Sequence, residues 1–296
     1  MDKHQLKEKL KLFYEKLSLM RKKSSRPSKS MEVIIDSSNR KMKSMIKTLD
    51  LKGISLADIG AADGSFVFGL SDSLSADTGV TLIDISPAYL NIANKTYKSR
   101  FKGKFKFKTI ASDVDDLKIK ERFEVIFFRS ILEHLYFPET SLRNLNNALK
   151  PNGLILIITP NRNRLNELIK RLIPETLKFK LKLRLGTDVP DVILLEKKMN
   201  LKEHIHEYSG KELKQILKRN NFEIIKSEYS TIPFIVPSLC DKYPLIFEVQ
   251  KSIISAMNFI GLNRFLCFDF IILARKHPKN QKVFGVPKIQ ENFLAK

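Results

Sequence analysis

Three features of the sequence predict an α/β chain built on a doubly wound, mostly parallel seven-stranded sheet. From residue 54 onward, short apolar runs alternate with amphipathic stretches, the rhythm of repeated strand–helix units. Most of those runs are apolar without interruption, as strands covered on both faces must be. The first run also leads straight into a glycine-containing turn, Gly60 to Gly64, with a helical stretch behind it.

The elements follow in order. Leu6, Leu10, Phe13, Leu17 and Met20 recur at helical spacing among lysines, predicting a basic amphipathic helix over residues 1–23. A Ser/Lys/Pro-rich linker, Arg21 to Ser30, precedes a second helix near 31–49. Strands are predicted at 54–59, 80–84, 105–110, 124–128, 154–159, 222–229 and 268–274, with helices near 65–75, 87–100, 138–149 and 209–220. Lys104 to Lys108 alternates lysine with phenylalanine, which suits a sheet edge where lysine discourages pairing with another chain. Two connections exceed ordinary lengths, 161–203 and 231–267. The first mixes leucine and phenylalanine with basic residues over 168–185; the second holds a helical run near 247–260. The expected division is a basic helical extension over 1–50, a main domain over 51–276 carrying both insertions, and a basic tail over 277–296.

Composition narrows the functional classes. The chain has 296 residues, two cysteines and a net charge of +21. Two cysteines, Cys240 and Cys267, cannot form a disulfide scaffold or a four-thiolate zinc site, and neither has a neighbouring redox motif, so both read as core. No apolar run is long enough to span a bilayer, and the charged N-terminus does not read as a secretory signal. A cytoplasmic protein is expected, with peripheral attachment to an anionic membrane left open by the basic N-terminal helix. The charge itself would suit nucleic acid, but residues 51–160 carry only +2 of it. With 39 lysines to 14 arginines, the basic residues are also not the type that bidentate phosphate and base contacts favour. Nucleic acid is therefore not the expected partner.

The chemistry concentrates in Leu56-Ala57-Asp58-Ile59-Gly60-Ala61-Ala62-Asp63-Gly64, a buried strand entering a glycine turn. Glycines there let a ligand approach the backbone, and the following helix offers free N–H groups. Twenty residues beyond Gly64 a second strand ends in Asp84, placed to accept both hydroxyls of a ribose. The spacing is not that of the dinucleotide-binding Gly-x-Gly-x-x-Gly. It resembles the first motif of class I S-adenosylmethionine-dependent methyltransferases, with Ala62 at the middle glycine.

Later segments resemble that family in order: Thr81 to Pro87, Ser112 to Leu117, Phe123 to Leu135 and Leu149 to Pro160. The resemblance implies S-adenosylmethionine as cofactor. It places Gly60, Ala62, Asp63 and Gly64 at the cofactor turn, with Asp58 orienting that turn's backbone. It places Asp84 and Ile85 at the ribose, Asp113 and Val114 at the adenine, and Arg129 and Ser130 at the methionine end. Asp113 reads equally as a loop cap, and Asp63 as a solvent-facing residue. His134 is a candidate general base or a packed histidine. His204 and His206 are candidates for lining the acceptor site; as residues two apart they would share a side only on a strand, and they offer no evident metal set. Strand four lacks the Asn/Asp-Pro-Pro-aromatic turn of adenine-N6 enzymes, and no Pro-Cys pair offers a pyrimidine nucleophile. The resemblance is thus to the small-molecule, type 11-like branch, implying a small or amphiphilic acceptor. An RNA methyltransferase and a non-catalytic adenosine-ligand module are the alternatives.

Overall fold

The computed structural model describes residues 3–21, 29–119, 123–172, 195, 198–199, 204–234 and 237–277. The Lys22–Ser28 part of the linker, nearly all of the 173–203 stretch and the tail beyond His277 lie outside them. Two compact units are distinguished, each drawn from three stretches of chain: 1–42, 160–211 and 228–271 in one, and 43–159, 212–227 and 272–296 in the other.

The second unit carries most of the sheet. Its strands are β1 (Ser55–Ile59), β2 (Gly79–Asp84), β3 (Lys106–Ala111), β4 (Phe123–Arg129), β5 (Leu149–Pro160), β6 (Phe222–Tyr229) and β7 (Asp269–Lys276). Their order is β3-β2-β1-β4-β5-β7-β6, and β3, β2, β1, β4 and β5 pair in parallel. β6 and β7 run antiparallel: His277 N–H donates to Asn221 O at one end of the pair, and Ser230 N–H to Asp269 O at the other. The continuous apolar runs form the centre. Leu56, Ile126, Phe127, Phe128, Ile155 and Ile157 are fully buried, the environment that parallel strands covered on both faces require.

The lysine-alternating strand β3 lies at the sheet edge, with Lys106 and Lys108 outward. Its aromatic side packs inward: Phe107 stacks on Tyr97 at 4.4 Å, and Phe105 is buried against the same ring. Rings consumed in a core leave no stacking platform for bases. The helix predicted over 65–75 is instead one α-turn, α3 (Ser65–Phe68), followed by a 3₁₀ turn over Ser71–Ser73. Gly69 stops it, and Ser71, Asp72 and Ser73 compete with the helical hydrogen bonds. Helix α4 (Pro87–Thr96) ends in a π turn, Tyr97–Phe101, and α5 (Pro138–Ala148) follows β4. Strand β5 begins earlier than predicted because Lys150–Gly153 bulges: Phe123 pairs with Leu149, and Val125 already with Leu154. Pro151 has no N–H to give the ladder, and Asn152 sits at φ 60°.

In the other unit, α1 (Lys3–Arg21) buries Leu10 and Phe13, and α2 (Lys29–Ile46) buries Ile34. Asp241 accepts from the Ser30 N–H and hydroxyl at the start of α2, satisfying donors the helix cannot. Ser38 donates to Asp269 at 2.7 Å, and Ser37 accepts from Thr231 N–H at 2.9 Å. Helix α6 (Leu165–Leu172) also belongs here, α7 (Gly210–Arg219) falls, from Glu212 on, in the sheet-bearing unit, and α8 (Pro237–Lys242), α9 (Pro244–Phe259) and α10 (Asn263–Leu266) again belong here. Ile34, Ile232, Phe234, Cys240 and Ile254 form one apolar cluster in this unit. Both cysteines are buried, as expected, and burial pushes the Cys267 thiol up to about 12.

Candidate cofactor site at the carboxyl ends of β1, β2 and β4

The loop after β1 turns through left-handed backbone at three residues: Gly60 at φ 67°, Ala62 at 47° and Gly64 at 76°. Gly60 and Ala61 N–H donate to Ile83 O, tying the loop to β2. A Cβ on Gly60 would lie 2.1 Å from Ile131 Cδ1, so only glycine allows this close packing. Asp84 locks the arrangement: its Oδ2 accepts Ala62 N–H and its Oδ1 accepts Ser86 N–H, both at 2.8 Å. Burial pushes its pKa up, and those two N–H groups hold it down. Each oxygen retains a second lone pair, so a ribose diol can still be accepted. Ile85 follows, half-buried, at the start of the turn.

Asp58 departs from expectation. The turn is held by Ile83 O and Asp84, while both Asp58 oxygens are buried without a hydrogen-bond partner among the described residues. Its neighbour is Arg129 at the end of β4, whose Nη2 lies 3.9 Å from Asp58 Oδ2. The Arg129 guanidinium rests 3.5 Å above the centre of the Phe66 ring. Burial pushes the Asp58 carboxyl up to about 6, against the pull of Arg129, and the Asp84 charge adds to the rise. A carboxyl that titrates at 3.8 when unfolded and near 6 when folded binds its proton more tightly in the folded state. Stability therefore falls as pH rises from about 4 through 6. At 1.36 kcal/mol per unit, the full effect is about 3 kcal/mol. In urea unfolding at acid and neutral pH, Asp58→Asn is expected to gain on the wild type by about 2 kcal/mol across that window. A stability gap independent of pH would show that Asp58 is not the titrating group.

The other predicted residues take defined places. Asp63 Oδ1 accepts Ser65 N–H at 3.1 Å, capping the turn locally. Asp113 Oδ1 accepts Asp115 N–H at 2.9 Å and caps the 3₁₀ turn Val114–Asp116, in which Val114 is buried. Ser130 has φ 52° and donates its N–H to Ile158 O. His134 closes the 3₁₀ turn Leu132–His134, its Nε2 3.9 Å from Glu133 Oε1. Glu133 is buried and accepts from the Thr159 hydroxyl at 3.2 Å. His204 and His206 belong to the other unit, on a segment that is not a strand; Glu207, held low by His204 and Arg164, is the neighbour of His204 at 3.5 Å.

The structure thus gathers Asp58, Gly60, Ala62, Gly64, Asp84 and Arg129 at neighbouring strand ends, and adds Phe66, Ser86 and Ile131. Phe66 and Ile131 carry no local signal because their partners, Arg129 and Gly60, lie across the β1–β4 pairing, whereas Ser86 meets Asp84 two residues back along the chain. The orphaned Asp58 oxygens, the still-available Asp84 lone pairs and the left-handed loop fit an adenosine ligand with a cationic amino-acid end.

The comparisons with known proteins agree. A family model described as a methyltransferase domain matches residues 4–227. The ubiquinone biosynthesis O-methyltransferase of Bradyrhizobium diazoefficiens is 29% identical over 131 residues, 44% of this chain and 49% of that protein. The mitochondrial protein of the same name from Schizosaccharomyces pombe is 28% identical over 40% of this chain and 42% of its own length. The chain thus spans about half the length, or less, of these curated relatives. Among solved structures, the 1,6-didemethyltoxoflavin-N1-methyltransferase of Burkholderia thailandensis superposes with a TM-score of 0.54 at 13% identity, covering 94% of this chain and 91% of that one. The [4+2]-cyclase SpnF gives 0.52 at 16% identity over 81% of each chain, so the shared fold alone does not fix the reaction. The family match extends over most of the chain and includes the whole β1–β2–β4 site: the protein belongs to the class I S-adenosylmethionine-dependent methyltransferases.

Proposed function

We propose that the protein transfers the methyl group of S-adenosylmethionine to a hydroxyl of a small, apolar or amphiphilic acceptor. The observation that carries this reading is the Asp84 carboxylate, fixed by Ala62 and Ser86 N–H at the mouth of a left-handed glycine loop. The oxygen acceptor is supported by the two relatives named as ubiquinone biosynthesis O-methyltransferases.

When bound, the cofactor supplies a methyl already activated on a sulfonium, so the protein's task is alignment, which can contribute about 7–11 kcal/mol. Asp84 holds the ribose hydroxyls, and Ile85, Asp113 and Val114 border the adenine. Gly60, Ala62, Asp63 and Gly64 let the loop backbone lie close. Asp58 offers its unused oxygens to the cationic amino-acid end, with Arg129 and Ser130 flanking it. His134 would accept the proton that the acceptor's hydroxyl gives up, a contribution of roughly 10²–10⁴-fold. An RNA acceptor is disfavoured because Phe105 is buried and Phe107, beside the lysines of β3, is already stacked on Tyr97.

Calorimetric titration with S-adenosylhomocysteine, followed by transfer of labelled methyl to catechol and prenylated catechol, tests the reading. Binding and transfer are expected. Failure to bind at millimolar ligand overturns the cofactor assignment, and binding with no transfer to either hydroxyl compound overturns the acceptor class.

A further inference from the structure

Seven of the ten large apolar side chains exposed among the described residues fall within Tyr243–Phe265. They are not scattered there. Helix α9 turns Ile246, Phe247, Ile254 and Met257 toward the apolar cluster of its own unit, with Phe247 stacked on Phe234 at 5.3 Å. Its opposite face is apolar as well. At 100° per residue, Leu245, Val249, Ile253, Ala256, Phe259 and Ile260 share an arc of about 120° interrupted only by Ser252. Phe259 is 92% exposed, Leu245 78%, Ile260 69%, and Phe265 in the next helix 68%. A soluble surface rarely leaves so many bulky apolar side chains together.

We propose that this face is a monotopic membrane-binding surface, lying in the headgroup–acyl boundary of an anionic bilayer. The charges bordering it suit that occupant. Lys242, Lys251 and Arg264 are exposed beside the apolar arc, and the face's one carboxylate, Glu248, is paired to Lys251 at 3.3 Å. Tyr243, under the Lys242 ammonium at 5.5 Å, is the amphipathic ring that sits at headgroup level. The chain's net charge of +21 adds attraction to an anionic surface. A 16-residue helix is too short to cross a bilayer, and no described helix is long and apolar enough to do so. A second copy of the chain fits less well. Stable dimers bury about 800 Å² and 20–30 residues per partner, far more than one helix arc presents. The sequence left membrane contact to the basic helix over residues 1–23; among the described residues the exposed apolar surface gathers on α9 and α10 instead. The inference does not depend on the methyl-transfer reading.

The test is co-sedimentation of the full chain with phosphatidylcholine–phosphatidylglycerol vesicles, alongside the triple variant Leu245→Ser, Phe259→Ser, Ile260→Ser. All three side chains are exposed, so the variant should melt as the wild type does and bind S-adenosylhomocysteine equally. Its vesicle affinity should fall about a hundredfold. The chain has no tryptophan, so Phe259→Trp is a single reporter, and its emission should shift to the blue on adding vesicles. The proposal is overturned by equal sedimentation of variant and wild type, or by an unshifted reporter while the protein is vesicle-bound. A concentration-dependent dimer that the triple variant abolishes would equally overturn it, in favour of a second copy.

Discussion

Replacing Asp84 with alanine is expected to weaken S-adenosylhomocysteine binding by a hundredfold or more. The carboxylate makes two kinds of bond. Inward, its oxygens accept Ala62 and Ser86 N–H at 2.8 Å, fixing the loop after β1 against the end of β2. Outward, its remaining lone pairs take the ribose hydroxyls. Hydrogen bonds to a charged acceptor are worth about 1.5–3 kcal/mol each. Losing two to the ligand therefore costs about 3–6 kcal/mol, two to four orders of magnitude in affinity. Asp84→Asn should not rescue it, because one oxygen becomes an N–H₂ facing a backbone donor, Ala62 or Ser86. Calorimetry on both variants, with circular dichroism to confirm the fold, is the measurement. An unchanged dissociation constant in Asp84→Ala would move the ribose elsewhere.

Legibility in the sequence followed the range of the interaction. The strands were placed closely because a fully buried parallel strand is an unbroken apolar run, and β3 was recognisable as an edge from its lysine alternation. The β5 bulge was missed although Pro151 stands in the run, since a bulge is defined by its partner and Val125 is 29 residues away from Leu154. The helix that apolar spacing predicts over 65–75 is one turn because Gly69 and the polar Ser71, Asp72 and Ser73 outweigh that spacing. Asp84 and the glycines were legible because loop geometry leaves a local signature. The role of Asp58 was not. It was read as orienting the turn, but the turn is tied to Ile83 O and Asp84, and Asp58 faces Arg129, which in turn rests on Phe66. Those three side chains meet only once β1 and β4 are paired side by side, a fact of topology that residue spacing does not carry.

Gly64→Ala is expected to cost a large part of the protein's stability. The residue stands at φ 76° in front of α3, a conformation that costs an L-residue about 1–2 kcal/mol. Strain is only part of it. An added Cβ would lie 2.7 Å from Leu82 Cδ1 and 2.9 Å from Phe68 Cε2, both on buried side chains. Leu82 is fully buried between β3 and β1, and Phe68 is stacked on Phe101 at 4.8 Å, so either can give way only by disturbing a packed neighbour. Overpacking of this kind adds about 1–3 kcal/mol, for a total near 2–5 kcal/mol. Total stabilities of about 5–15 kcal/mol leave such a variant folded but with a much lower urea midpoint. Gly103→Ala is the matching control: it also has positive φ, at 84°, but nothing lies within 4 Å of its Cβ position, so only backbone strain applies. If the two variants lose equal stability, the close approach of Leu82 and Phe68 contributes nothing, and Gly64 is required for its φ alone.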